Sequence, residues 1–119
     1  MVEATCHCKA VRLELAAAPS EVFECNCSIC WKLGVLWAYY PPAQVRIVSP
    51  PDATLQYSWS TRSLAFHTCR TCGCTTHWWA IDVPNPGKMG VNARLIEGVS
   101  KAAVRMQHLD YGGAGKFWT

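Results

Sequence analysis

Eight cysteines fall into three short clusters, and this clustering limits the fold more than any other feature of the chain. The clusters are Cys6-His7-Cys8, Cys25-Asn26-Cys27-Ser28-Ile29-Cys30 and Cys69-Arg70-Thr71-Cys72-Gly73-Cys74. A tight turn that carries two thiolates supplies two adjacent corners of a tetrahedral zinc site, in which each sulfur lies about 2.3 Å from the metal. The spacing therefore predicts metal binding.

The last cluster carries the most specific local pattern. Cys69 and Cys72 with Gly73 form a Cys-x-x-Cys-Gly turn, in which backbone amides can point at the sulfurs. The glycine suits this turn because it adopts a backbone conformation that a Cβ atom would hinder. We expect a zinc knuckle at this position.

The sequence leaves the sharing of the thiolates open, but one arrangement is preferred. Pairs from the first and last clusters would close one four-thiolate tetrahedron: Cys6, Cys8, Cys69 and Cys72. The middle cluster would nearly surround a second ion and leave one place for a ligand: Cys25, Cys27 and Cys30. The alternatives join the first cluster to Cys25 and Cys27, or complete a site with Cys74. Outside such a site, Cys74 is expected to be a buried free thiol that only packs.

Disulfide bonding and purely structural zinc compete with this interpretation. The start of the chain, Met1-Val2-Glu3-Ala4, has neither the basic nor the apolar region of a secretory signal. We therefore expect a cytoplasmic protein, in a compartment where thiols bind metal more often than they pair. Zinc that only holds a small domain together is the stronger of the two alternatives.

Composition excludes several other classes of protein. The hydrophobic share is 50%, the charged share is 16% and the mean hydropathy is +0.04, as in a globular protein. The longest bulky apolar run, Val35 to Tyr40, is far shorter than the ~20 residues that span a bilayer, so we expect no membrane association. A net charge of +3 is too small to indicate nucleic-acid binding. We expect a single domain over residues 1–119, for which a homodimer is compatible with the size and aromatic content.

The remaining segments are short and favour strands. Predicted strands are Val11–Leu15, Val22–Glu24, Leu36–Tyr40, Val45–Val48, Leu55–Trp59, Ala65–Thr68 and Thr75–Ile81. Brief helical turns are predicted only at Ser28–Leu33 and Asn92–Ile96, a loop at Pro84–Gly87 and a flexible tail at Gly112–Gly115. The prediction is a mainly β protein.

The motif order resembles one known family, the glutathione-dependent formaldehyde-activating enzymes, which also include centromere protein V. The resemblance covers Cys6 to about Gly98, and its most specific part is Cys-x-Cys-Ser-x-Cys at Cys25 with Gly34 shortly after it. Further matching segments are Gly34-Val35-Leu36-Trp37-Ala38-Tyr39-Tyr40, His67 before Cys69, and Gly90-Val91-Asn92 followed by Leu95.

The resemblance implies a β-tent fold of two antiparallel sheets and two zinc ions. In the family the first Cys-x-Cys and the late Cys-x-x-Cys hold a structural zinc, which here means Cys6, Cys8, Cys69 and Cys72. The middle cysteines hold a catalytic zinc, here Cys25, Cys27 and Cys30, and this second ion is expected to be the more labile one. The implied activity is that of a carbon–sulfur lyase, resembling S-(hydroxymethyl)glutathione synthase, with glutathione or a related thiol as the small-molecule partner. The alternative is a non-catalytic zinc-stabilised module that binds thiols or a protein.

Other candidate residues carry weaker signals. Lys32, Arg62 and Arg70 could pair with glutathione carboxylates, with solvated surface charge as the alternative. His67 and His77 could transfer protons or support ligands, with ordinary surface or core histidines as the alternative. Trp31 and Trp37 could line a thiol pocket, with core packing as the alternative.

Overall fold

Ten short strands and one α-helix make up the part of the chain that the computed structural model describes, which is residues 1–59, 62–81, 87–99 and 105–109. In chain order the strands are β1 Val2–Thr5, β2 Arg12–Leu15, β3 Glu21–Cys25, β4 Trp37–Tyr40, β5 Val45–Ile47, β6 Thr54–Tyr57, β7 Leu64–Cys69, β8 Thr75–Ala80, β9 Met89–Asn92 and β10 Arg105–Leu109. The helix α1 is Ser28–Leu33, and short 3-10 turns lie at Pro42–Gln44, Pro51–Ala53 and Ala93–Leu95.

The strands form two sheets. The smaller sheet has the order β1-β2-β5, and the larger has the order β10-β3-β4-β9-β8-β7-β6. Neighbouring strands are antiparallel, except that β10 pairs with β3 in parallel at one edge of the larger sheet. The prediction of a mainly β fold with two sheets is therefore confirmed, with a parallel edge pair in addition.

Alternation of side chains places the main core between the two sheets. On β2, Leu13 and Leu15 are fully buried while Glu14 between them is half-buried, as expected for a strand with one face inside. Facing them from the larger sheet are Ala38 and Val91, which are opposite each other on β4 and β9. A second apolar cluster lies on the other face of the larger sheet and contains the middle cysteines.

Several predicted boundaries shift by one or two residues. The strand predicted at Leu55–Trp59 begins one residue earlier and ends at Tyr57, because Thr54 already pairs with Cys69. The predicted turn at Asn92–Ile96 is a 3-10 turn over Ala93–Leu95, which Asn92 caps by accepting a hydrogen bond from the Arg94 amide at 3.2 Å. The helical turn at Ser28–Leu33 is present as α1.

Strands β1, β9 and β10 were not among the predicted strands. The sequence cue was weak, because β9 and β10 show no clean alternation of apolar and polar residues, and β1 alternates over only four residues. Residues 84–86 of the predicted loop and the predicted tail at 112–115 lie outside the described residues. Across the described ranges, α1 is far too short to cross a membrane and no other helix has the length and apolarity to do so.

Candidate metal centres

Four cysteines from the two ends of the fold meet at one point. Cys6 and Cys8 follow β1, while Cys69 ends β7 and Cys72 lies in the turn after it. All four Sγ atoms lie within 4.8 Å of one another, with 3.7 Å between Cys6 and Cys8 and 3.6 Å between Cys8 and Cys69. The sulfurs of a tetrahedral zinc site with bonds of about 2.3 Å are separated by about 3.8 Å. The donor set and its spacing therefore fit zinc.

Backbone amides support two of these sulfurs. The Val11 amide donates to Cys6 Sγ at 3.3 Å, and the amides of Thr71 and Cys72 donate to Cys69 Sγ at 3.4 Å. Hydrogen bonds of this kind orient metal ligands and spread the negative charge of thiolates. They also lower the pKa of the Cys69 thiol, so the turn favours the deprotonated form that a metal requires.

Each of the two turns contains one residue with a left-handed backbone. Gly73 has a φ of 82° and donates its amide to the Cys69 carbonyl at 3.0 Å. Lys9 has a φ of 67° and donates its amide to the Cys6 carbonyl at 3.1 Å. Glycine adopts this conformation without strain, whereas a lysine in it is strained by its Cβ atom. The two turns thus have similar geometry but different conformational cost.

The middle cluster forms a second site on the opposite face of the larger sheet. Cys25 ends β3, Cys27 precedes α1 and Cys30 lies within its first turn. All three side chains are buried, and their Sγ atoms lie within 4.8 Å of one another. Helical spacing brings the last two together, since the Trp31 amide donates to the Cys27 carbonyl at 2.9 Å. Among the described residues, no fourth ligand joins this group.

Hydrogen bonds distribute charge unequally over these three thiols. The Cys30 thiol donates to Cys25, and this bond lowers the pKa of Cys25 to about 6 while it raises the pKa of Cys30. The Cys27 amide also donates to Cys25 Sγ, at 3.5 Å. These bonds favour deprotonation of Cys25, and the thiolate is the form that a zinc ligand needs.

The indole of Trp37 contacts the same site through its N–H group. Trp37 Nε1 donates to Cys30 Sγ at 3.3 Å, and the Trp37 side chain is 1% exposed. Water therefore cannot replace this bond. The sequence indicated Trp37 as part of an aromatic pocket, but gave no signal that its N–H would bind a cysteine.

An aromatic wall surrounds the three sulfurs. Phe66 and Trp78 pack in the same buried cluster as the cysteines, and Phe23 and Tyr39 pack against it. The rings contact one another, with 4.8 Å between the centroids of Phe23 and Tyr39 and 6.2 Å between those of Tyr39 and Trp78. Such walls exclude water from a site and strengthen electrostatic interactions inside it.

Trp31 and Lys32 lie on the exposed side of α1 beside this cluster. The Trp31 side chain is 60% exposed, so it does not fill the core as its apolar character could suggest. The helix ends at Gly34, whose φ of 69° and amide bonds to the carbonyls of Cys30 and Trp31 stop it one turn after the last cysteine. This leaves an aromatic ring at the outer edge of the cluster.

The other basic candidates lie in different places. The Arg70 guanidinium donates through Nε to the Asp52 carbonyl at 3.1 Å, in the turn that carries the four-cysteine site. Arg62 is exposed and its amide donates to the carbonyl of Trp59, a ring that packs against the three-cysteine cluster. A cation that the sequence did not suggest lies at this wall: Lys88 Nζ is 4.3 Å from the centroid of the Tyr39 ring.

The two candidate histidines are in neither cysteine group. His67 and His77 are opposite each other on β7 and β8, and their rings stack with 4.3 Å between centroids. On β8 the next residue, Trp78, belongs to the three-cysteine cluster, so His77 points to the opposite face of the sheet. The structure therefore favours the alternative for His77, a buried core histidine on the face away from the three-cysteine cluster.

Cys74 belongs to neither group of sulfurs. Cys74 is a free cysteine that packs against the main core, as expected, but it is half-buried rather than buried. The Cys74 carbonyl accepts the Cys69 amide at 2.8 Å and closes the turn. The arrangements that complete a site with Cys74, or that join the first and middle clusters, are not formed in the structure.

Comparison with known proteins identifies the family of the chain. The family model of the glutathione-dependent formaldehyde-activating enzymes matches residues 1–109. A crystal structure of a Rhodobacter sphaeroides protein, determined as a structural genomics target, is similar with 32% sequence identity and a TM-score of 0.72. The alignment covers 88% of this chain and 99% of the other. The chain thus belongs to the glutathione-dependent formaldehyde-activating enzyme family.

Proposed function

We propose that the protein is a zinc-dependent enzyme of the carbon–sulfur lyase type that acts on glutathione–aldehyde adducts, as S-(hydroxymethyl)glutathione synthase does. The observation that carries this proposal is the group of three buried cysteine sulfurs, which offers one ligand fewer than a closed zinc site. Family membership supports glutathione as the thiol and an aldehyde as its partner.

Cys25, Cys27 and Cys30 are proposed to hold the zinc of the reaction site. Zinc bound there would supply a place that keeps a substrate thiol deprotonated near neutral pH. Three thiolates neutralise more than the charge of Zn²⁺, so the site suits a thiol ligand better than strong polarisation of a carbonyl group. The chemistry proposed for the site is therefore control of a sulfur nucleophile.

The reaction joins a thiol and an aldehyde without any redox change. The sulfur electron pair forms a carbon–sulfur bond to the carbonyl carbon, and the carbon–oxygen π electrons become an alkoxide lone pair. That oxygen takes up the proton released by the thiol, which gives a hydroxymethyl thioether. The reverse reaction breaks the same bond. The aromatic wall around Phe66 and Trp78 would limit access of water to the reacting sulfur.

Cations near the wall are proposed to bind the carboxylates of glutathione. Lys88 lies over Tyr39, while Lys32 is exposed on α1 beside the cluster. Arg62 follows Trp59 at the same cluster. Arg70 is on the four-cysteine side and is left out of this role, because its guanidinium is bound to the Asp52 carbonyl.

The four-cysteine group is proposed to hold a structural zinc. Its ligands come from distant segments, since Cys8 and Cys69 are 61 residues apart in sequence and 3.6 Å apart at their Sγ atoms. A metal at this point would join the start of the smaller sheet to the end of β7. Structural zinc in small domains contributes about 10–16 kcal/mol of apparent binding free energy. A single domain over residues 1–119 and a cytoplasmic location remain predictions.

A non-catalytic thiol- or protein-binding module is the second candidate. The observation that favours it is the exposed apolar surface of α1, where Trp31 and Leu33 both face solvent beside the cysteines. Such residues are common in binding surfaces. This module would also use both zinc sites but would not accelerate adduct formation.

Metal content and adduct formation separate these candidates. We expect two zinc ions per chain in the wild-type protein and one in Cys27→Ser, which also loses activity. Cys74→Ser serves as the matched control and should keep two zinc ions and the activity, because Cys74 contacts Cys72 but is in neither group of ligand sulfurs. Formation of S-(hydroxymethyl)glutathione is followed by NMR against the uncatalysed rate. Full zinc content without acceleration would favour the binding module.

A further inference from the structure

A cavity of about 410 Å³ lies on the face of the larger sheet opposite the three-cysteine cluster. Its lining includes His67, His77, Trp79 and Gln56 from the larger sheet, and Ile47 and Pro50 from the segment at the end of the smaller sheet. No aspartate, glutamate, lysine or arginine is among the described residues that line it. The walls are therefore mainly apolar and carry no fixed charge.

Pairing across the sheet separates this cavity from the proposed reaction site. Gln56 is opposite His67, and His67 is opposite His77, so these three side chains form one row on the same face. Trp78 is next to His77 in the strand and belongs to the cluster on the other face. The cavity is thus separated by the sheet from the three-cysteine site at which the thiol reaction is proposed.

The hydrogen bonds of Thr76 determine the tautomer of His77. Thr76 Oγ1 donates its only proton to the His67 carbonyl at 3.3 Å. The same oxygen lies 2.8 Å from His77 Nδ1, so it accepts a proton from Nδ1–H. In the neutral ring Nε2 then carries a lone pair and no proton. This atom is a hydrogen-bond acceptor.

Nε2 of His77 has no partner within the described part of the protein. The His77 side chain is only 2% exposed, yet every inaccessible side-chain nitrogen and oxygen of the described residues has a partner. Nε2 is consequently an accessible atom, and the opening next to it is the cavity that His77 lines. Burial lowers the pKa of His77 to about 3, which keeps the ring neutral at neutral pH. His77 Nε2 is therefore a hydrogen-bond acceptor without a partner among the described residues, in the lining of a mainly apolar cavity.

We propose that this cavity binds an uncharged small molecule with an apolar one- or two-ring body and one hydrogen-bond donor, which donates to His77 Nε2. The apolar walls favour burial of such a body, and Trp79 offers a ring face for contact. A charged ligand would lose its hydration without meeting an opposite charge. The volume is within the usual range of small-molecule sites.

Indole and 1-methylindole test the donor directly, because they differ only in the N–H group. Binding is followed by two-bond ¹H–¹⁵N spectra of protein labelled in histidine, which also show the tautomer of each ring. We expect indole to bind about 2- to 10-fold more tightly than 1-methylindole and to shift the His77 Nε2 signal. A protonated Nε2 in the free protein, equal affinity for the two compounds, or binding of neither would overturn the proposal.

Three variants locate the site. His77→Phe removes the acceptor and should abolish the preference for indole, whereas a retained preference would contradict the role of His77. Gln56→Trp should fill the cavity and weaken both compounds at least 5-fold. Leu55→Trp is the matched control, because Leu55 is 50% exposed on the same strand but points to the other face. Equal weakening by both tryptophan substitutions would also overturn the proposal.

Discussion

Trp37→Phe is the most informative single substitution at the three-cysteine site, because it removes the indole N–H and keeps an aromatic ring. The lost bond joins Trp37 Nε1 to Cys30 Sγ over 3.3 Å in a position that water cannot enter. The substitution therefore leaves one cysteine sulfur without its side-chain donor.

The size of the effect follows from the charge on that sulfur. As a thiol, Cys30 accepts a neutral hydrogen bond from Trp37, which contributes about 0.5–1.5 kcal/mol. As a zinc ligand it is a thiolate, and a hydrogen bond to a charged group contributes about 1.5–3 kcal/mol. The difference of about 1–1.5 kcal/mol predicts a zinc affinity about 5- to 13-fold weaker in Trp37→Phe.

Competition with a chromophoric zinc chelator measures this change for the weaker of the two sites. Substitution with Co²⁺ gives a second measurement, since the sulfur-to-metal charge-transfer absorption should shift when the N–H is lost. Trp78→Phe is the control, because Trp78 packs in the same aromatic cluster but has no bond to a cysteine among the described residues. Unchanged affinity in Trp37→Phe, or equal loss in both variants, would refute the reasoning.

Three further predictions concern the turns, the buried histidine and the substrate carboxylates. Gly73→Ala should lower the free energy of unfolding by about 1 kcal/mol, and Lys9→Gly should raise it by up to about 1 kcal/mol, because both positions have a positive φ. Urea unfolding of the zinc-loaded protein measures both changes, and changes of equal sign would contradict this prediction. The pKa of His77 is lowered from 6.5 to about 3 by burial and by the neighbouring His67, so the unfolded chain binds a proton that the folded one does not. The contribution of neutral His77 to the free energy of unfolding is therefore complete above pH 6.5 and is lost as the pH falls toward 3, by about 2 kcal/mol at pH 5. Urea unfolding at pH 7 and pH 5 should show this extra loss in the wild type relative to His77→Phe, and equal losses in the two proteins would count against it. Lys88→Ala should raise the KM for glutathione about 3- to 10-fold with little change in kcat, and steady-state kinetics showing the reverse pattern would remove Lys88 from carboxylate binding.

Trp37 and His77 show where prediction from the sequence ended. An aromatic residue or a histidine in a strand pattern is most simply interpreted as a core residue, and both residues are indeed buried. Their hydrogen bonds depend on the folded backbone: Trp37 on β4 reaches Cys30 on the helix, and Thr76, the partner of His77, also donates across to the His67 carbonyl beside the bulge between β7 and β8. Neither the strand order nor the bulge is visible in local patterns.

The sequence by itself determined the local donor sets and the class of fold. Spacings of two and three residues hold the sulfurs of each cluster close together whatever the rest of the chain does, since the backbone between them is short. Short alternating segments between turn residues likewise favour strands. Family membership could also be proposed from these motifs, and the family model matches residues 1–109.

Only the tertiary structure decided which distant clusters meet. Cys8 and Cys69 are 61 residues apart, and the number of thiolates favoured their contact but left a site shared with the middle cluster open. The first cluster follows β1 of the smaller sheet and the last begins at the end of β7 in the larger sheet, so packing of the two sheets brings them together, while the middle cluster lies on the opposite face of the larger sheet. The physical reason is that long-range pairing depends on burial of whole sheet faces, whereas a cysteine motif constrains only its own turn.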